Sequence, residues 1–321
     1  MTVTAGVPRA FRFADLRVWS REPLPDLVPD ALAPCGPDAD DLAITWGRMP
    51  ALPPVEWYHR WGNEGEPDWL RFGQAGEDYL LDFPGLVRFL IADKTRALRV
   101  EPGPAVPDVT VRHLLLNQVL PLVLSQRGRL VLHAAAIAVG DEVMGLVGPT
   151  GSGKSTLVAA CGRLGAAVVA DDSLVLHRQG QGWVAVPSYP AVRLWPDALD
   201  RLAWPDAGDG DVAHYHDKRR LTPKDGVWRF ETRVLPLTRL WMLDGPKQPP
   251  HPVALELFSQ VFRLDVRDHA ESARLFHLIA DLAASVSVAA LDAGVDTRNA
   301  ADAARRLVAA GPLAGGAFFK A

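Results

Sequence analysis

Cysteine is scarce in this 321-residue chain, where Cys35 and Cys161 are the only two. They stand far apart, without the C-x-x-C spacing of a zinc site, and two thiols cannot make a disulfide framework. Basic residues are not in excess either: Lys and Arg total 34 against 38 Asp and Glu, a formal net charge of -4. Binding a phosphate backbone needs a basic face that releases counterions, so nucleic acid is not expected as a partner. No apolar run approaches the roughly 18 residues of a membrane helix. The opening "MTVTAGVPRAFRFADLRVW" has no apolar core of a signal peptide. The expectation is a protein of the reducing cytoplasm with no membrane partner.

Hydrophobic residues make up 48% of the chain and charged residues 22%, the balance of a globular protein with one large core or two modest ones. From Phe11 to about Val100, short apolar runs are punctuated by Pro, Gly and Asp, as in "DYLLDFPGLVRFLIADKTRALRV", which predicts several short strands. The stretch "EPGPAVPDV" can continue neither a helix nor a central strand, and a boundary is placed near residue 105. Residues 1–105 are then a smaller mixed or β-rich domain with a substrate- or peptide-binding role, and residues 106–321 a catalytic domain. In the latter, "RHLLLNQVLPLVLSQRG" predicts a helix disturbed at Pro121. Strands are predicted at "LVLHAAAIAVG", "EVMGLVG", "AAVVADD", "SLVLHR", "GWVAVPS" and "LTRLWMLDG", and chiefly helix in the last third. The order strand, loop, helix, strand defines an α/β class.

The loop is "GPTGSGKST". Gly148, Pro149, Thr150, Gly151, Ser152, Gly153, Lys154 and Ser155 match G-x-x-x-x-G-K-[ST] in full, with an apolar strand before and an amphipathic helix after. Glycines let successive N–H groups point inward at phosphate oxygens, and the helix N-terminus adds partial positive charge. Lys154 is suited to reach the β- and γ-phosphates of ATP, Ser155 to ligate Mg²⁺, and Thr156 to support the loop. A turn of this composition that binds nothing is the alternative. Asp171 and Asp172 follow at the end of "AAVVADD". Adjacent carboxylates repel unless a cation lies between them or one turns away. Strand neighbours point to opposite sides, so one can face magnesium while the other faces an acceptor hydroxyl as general base. Against this stands the simpler reading of a strand ending in a polar turn. His133, in "VLHAAAIAV", is either a core histidine or a proton-handling group near the phosphates.

"LHAAAIAV", "GPTGSGKST" and "VVADD", in this order and at this spacing, resemble the catalytic domain of HPr kinase/phosphorylase and the wider HPr-kinase-like serine kinases. The resemblance implies a phosphate-loop kinase fold similar to HPr kinase and the phosphoenolpyruvate carboxykinase core, with ATP and Mg²⁺ as cofactors. It also implies an acceptor serine in a peptide or protein, and a homo-oligomer. The stretches "FADLRVWSREPLPDL", "PSYPAVRLWPDAL" and "HDKRRL" look like the branch associated with ribosomally made peptides, lasso peptides included. His133 then matches the family's active-site histidine, Lys154 its loop lysine, and Ser155 a magnesium ligand. Asp171 and Asp172 match its acidic pair, one member of which takes the serine proton. Asp172 is preferred for that role, which leaves Asp171 with Ser155 as metal ligands.

The glutamate-containing segment of true HPr kinases is not evident. Arg193 and Asp197 occupy the comparable region, so neither HPr as substrate nor the reverse reaction is carried over. Lys218, Arg219 and Arg220 are either a solvated basic loop or a source of charge for the transferring phosphoryl group, with Arg219 the candidate. Two other functions stay open: a small-molecule kinase, and a nucleotide-binding regulatory protein with no acceptor.

Overall fold

The computed structural model describes residues 7–33, 36–62, 65–204, 210–223, 226–243, 252–291 and 300–311, so Cys35 lies outside the described residues. The chain packs as two units, Met1–Val123 and Leu124–Ala321, and residues 106–123 therefore belong to the first. Its architecture is mixed α/β. No helix among the described residues is long and apolar enough to cross a membrane.

The first unit is built on a nine-stranded sheet. Short apolar runs are the cause: in Asp78–Phe83 and Val87–Ala92, Leu81, Phe83, Phe89 and Ile91 are buried on one face and Leu80 and Leu90 on the other, while Arg88 is exposed. Glu56–Trp61, Leu70–Ala75, Asp78–Phe83, Val87–Ala92 and Ala97–Pro102 follow one another as an antiparallel meander. Leu42–Trp46 pairs in parallel with both Leu16–Ser20 and Ala97–Pro102, which closes the order. A helix then starts at Asp108–Leu114, widens to π geometry over Leu115–Val119 and resumes as Leu120–Gln126. The wide turn comes directly before Pro121, whose missing N–H would break a regular ladder.

A second nine-stranded sheet forms the other unit. Glu142–Val147, the strand that enters the glycine-rich loop of residues 148–153, runs parallel to Leu235–Leu243 and antiparallel to Ala134–Val139. Ala134–Val139 also pairs with Ala167–Ala170. Alternation divides these strands between two cores. Ala135, Ile137, Leu146 and Val168 pack with Leu157, Val158 and Cys161 of the helix Lys154–Arg163. Ala134, Ala136, Val143 and Val169 share the opposite core with Leu275, Ile279 and Leu282 of the helix His269–Ser285. That second helix is capped by Asp268, whose carboxylate accepts from the Glu271 N–H at 2.9 Å. Gly145 leaves room for the side chains of two other strands. A Cβ on Gly145 would stand 2.6 Å from Leu240 and 3.1 Å from Leu174.

The stretch "LVLHAAAIAVG" is two strands, not one. Leu130–Leu132 pairs with Leu174–Gln179, while Ala134–Val139 joins the loop strand. His133 is the joint between them, and its N–H donates to the Gln260 carbonyl at 2.7 Å. A separate three-stranded sheet comprises Asp211–Ala213, His216–Leu221 and Val192–Leu194.

Candidate active site

The loop of residues 148–153 joins the parallel strand Glu142–Val147 to the helix Lys154–Arg163. Gly151 and Gly153 have φ of +87° and +89°, a region open to glycine and strained for other residues. Gly148 is required for another reason: a Cβ there would stand 2.9 Å from the Leu243 carbonyl and 2.9 Å from the Ser152 hydroxyl. Ser152 Oγ is buried and has no hydrogen-bond partner. The Lys154 ammonium, almost wholly buried, donates to the carbonyls of Gly148 at 2.7 Å and Pro149 at 3.0 Å. Burial lowers its pKa, against the pull of Asp172 and Asp171. Two carbonyls are weak compensation for a buried charge. An orphaned hydroxyl, a buried ammonium and an open glycine turn at one helix start fit the phosphates of a nucleotide. Pro149 and Thr150 are exposed at the tip, and Thr156 is half-buried in the first helical turn.

The two aspartates separate. Asp171 is buried, and its Oδ1 accepts from the Ser155 hydroxyl at 2.7 Å while Oδ2 accepts from the Arg193 N–H at 3.0 Å. Burial and the neighbouring Asp172 raise its pKa, and Arg193 and Ser155 oppose that rise. Asp172 follows with φ +70°, a left-handed turn that swings its side chain out of the strand direction. Its carboxylate is 26% exposed and lies 2.7 Å from the Arg193 guanidinium. Burial works to raise this group; the charges of Arg193, His133, Lys218 and Lys154 overcome it and hold the pKa at about 2.

Arg193 is therefore the hinge of the site. It is buried on Val192–Leu194 and also donates to the Asp171 carbonyl at 3.3 Å. The carboxylates hold its charge in place against the cost of burial. The sequence reading assigned it no more than a region, yet a signal was present: an arginine flanked by Ala191, Val192 and Leu194 in an apolar strand needs a buried carboxylate partner. Asp197 does not join the group. It lies in the exposed helix Pro196–Arg201 and pairs with Arg201 one turn on.

Register sorts the basic cluster. Arg193 stands opposite Arg220 and Leu194 opposite Arg219, so Arg220 and Lys218 share the face of Arg193, while Arg219 takes the other. Arg219 pairs with Asp211. Lys218 sits 5.3 Å above the Trp195 ring, and its charge bears on Asp172, His133 and Lys154. No carboxylate pairs with it among the described residues. His133 lies in the same field. Burial lowers its pKa, assisted by Lys154, Arg193 and Lys218 and opposed by Asp172, so the imidazole is neutral at pH 7. The fold thus gathers His133, Lys154, Ser155, Asp171 and Asp172 around Arg193, brings Lys218 of the basic cluster to the same face, and turns Arg219 to the other.

No group of three or more His, Cys, Asp or Glu able to hold a metal occurs among the described residues. The Ser155 hydroxyl and the Asp171 carboxylate, 2.7 Å apart behind the loop, are an oxygen pair that suits Mg²⁺ sharing its remaining positions with phosphates and water.

No family model matches the chain, and no curated protein matches it. Among solved structures, the Hpr(Ser) kinase/phosphatase from Coxiella burnetii is 15% identical, covering 38% of this chain and 71% of that one, with a TM-score of 0.25. A likeness of that size carries no weight for fold or function, and the reading rests on the residues themselves.

Proposed function

We propose that this chain is an ATP- and Mg²⁺-dependent kinase that transfers the γ-phosphoryl group to a serine hydroxyl of a peptide or protein. One observation carries the reading: behind a complete phosphate loop, Ser155 and Asp171 are bonded to each other while Asp172 is turned out and held by Arg193. A carboxylate pair divided in this way serves two tasks at once. The loop N–H groups and Lys154 bind and orient the phosphates. Ser155 and Asp171 would hold magnesium, which neutralises charge across the β- and γ-phosphates when bound.

Asp172 accepts the proton of the acceptor hydroxyl as its oxygen bonds to the γ-phosphorus and the bond to the β,γ-bridging oxygen breaks, leaving ADP. With a pKa near 2 the group is ionised at neutral pH and free to accept. It is a weak base, and a loose phosphoryl-transfer transition state asks little of one. Arg193 is a positioning residue that fixes both carboxylates. Lys218 supplies charge from the acceptor side, the part the sequence alone offered to Arg219.

A serine in a ribosomally made precursor peptide is the acceptor class to assay first, on the resemblance of "PSYPAVRLWPDAL" and "HDKRRL". The test is intact-mass analysis of serine peptides after incubation with protein and Mg-ATP. One added phosphoryl group on serine, absent with Asp172→Asn while ATP still binds, supports the reading. Transfer to free metabolites and to no peptide would replace it with a small-molecule kinase.

A further inference from the structure

Beside the aspartates an aromatic ladder lies open. The rings of Trp195 and His216 are 5.8 Å apart, those of His216 and Tyr215 5.0 Å, and those of Tyr215 and His214 5.7 Å. Trp195 and Tyr215 are each 47% exposed. Neither position favours an aromatic for local reasons. Trp195 is the N-cap of Pro196–Arg201 and makes no side-chain cap bond, at a position where Ser, Thr, Asn or Asp would stabilise the helix. Tyr215 occupies the tight turn between Asp211–Ala213 and His216–Leu221, a solvent-facing position whose turn does not call for a ring.

The ladder borders the cationic side of the site. Trp195 comes two residues after Arg193, the charge of Arg193 bears on both Tyr215 and His216, and Lys218 rests on the Trp195 ring. Large rings left half in water next to a cationic site are the usual makings of a recognition surface.

We propose that Trp195 and Tyr215 form a subsite that receives an aromatic side chain of the acceptor chain, close to the serine that is phosphorylated. The assignment rests on the peptide-kinase reading and names its specificity: an extended acceptor with an aromatic residue near the serine. Lys218 reports occupancy, because a ring placed on Trp195 competes for the face the ammonium covers.

The test uses serine peptides in which a single Phe is placed in turn at each neighbouring position, with an all-Ala-flanked peptide as reference. For the protein as it stands, KM should be lowest for one Phe register. Trp195→Ala or Tyr215→Ala should raise that KM about tenfold, with Trp195→Phe recovering most of the loss. KM for ATP and for the Ala-flanked peptide should not move. Equal losses on both peptides, or a raised KM for ATP, would overturn the subsite and leave the kinase reading standing. Should no peptide be phosphorylated, that reading fails by itself. The subsite is then judged by fluorescence-anisotropy binding of the labelled peptides to Asp172→Asn protein. Preference for Phe that is lost with Trp195→Ala supports it, and equal binding of both peptides overturns it.

Discussion

Both units bury carboxylates beside arginines, and they do so to different ends. In the first unit carboxylates outnumber the arginines of one cluster, where Asp30, Asp38 and Asp41 all meet Arg17 and Asp30 also meets Arg12. Arg17 reaches Asp30 at 2.9 Å and Asp41 at 3.4 Å, Trp19 donates to Asp41 at 2.7 Å, and Arg112 meets Asp26 at 2.8 Å. In the second unit Asp171 and Asp172 share Arg193, while Lys154 and Lys218 face the same space with no carboxylate partner among the described residues. Paired charges of the first kind fix a fold. On the proposed reading the spare cations would meet the phosphates of a nucleotide, and the carboxylates beside them have pKa values shifted in opposite directions.

The contrast is open to challenge by substitution. Asp172→Asn should lower phosphoryl transfer by about 10²–10⁴-fold with nucleotide affinity kept, measured by single-turnover assay and calorimetric titration of ATP. A parental rate would remove Asp172 from the chemistry. Lys154→Ala should lower turnover by about 10²–10³-fold, since a donor aimed at developing charge is lost. Arg193→Met should destabilise the second unit by about 3–5 kcal/mol in urea unfolding, because the buried Asp171 and the half-buried Asp172 lose their shared partner. Loss below about 1 kcal/mol would mean the pair is neutralised by protonation instead.

The pH dependence of stability should carry His133. Its folded pKa is depressed below about 6.5, so the unfolded chain binds the proton more readily. Stability therefore falls as pH drops below about 6.5, and His133→Gln should flatten that slope in urea titrations. Asp172 works at lower pH: its stabilisation is present above about 4 and is lost as pH falls toward 2. The smallest effect belongs to the first unit. Arg60→Ala breaks an exposed pair with Asp68 and should cost less than about 1 kcal/mol.

Much of the site was legible because its parts are short and local. Gly148 to Ser155 sit in a single turn, and the positive φ of Gly151 and Gly153 is what their glycines advertise. The strands were legible for the same reason, since a short continuous apolar run such as "VMGLV" or "AAVVA", buried on both faces, is a local property. His133 was harder to read. Nothing in "LVLHAAAIAVG" marks the break at which the chain leaves one strand partner for another, because that break depends on Leu174–Gln179 and on Gln260 far along the chain.

By itself the sequence determined the α/β order, the glycine-rich loop before Lys154 and the presence of an acid pair, all properties of contiguous residues and their backbone preferences. Only the tertiary structure decided how the work is divided. The left-handed turn at Asp172 separates it from Asp171, and a strand 20 residues on delivers Arg193 to both. The pairing register of Val192–Leu194 with His216–Leu221 puts Lys218 on the site face and Arg219 on the other. A one-residue slip would exchange the two, because side chains alternate along a strand and only pairing fixes which set faces inward.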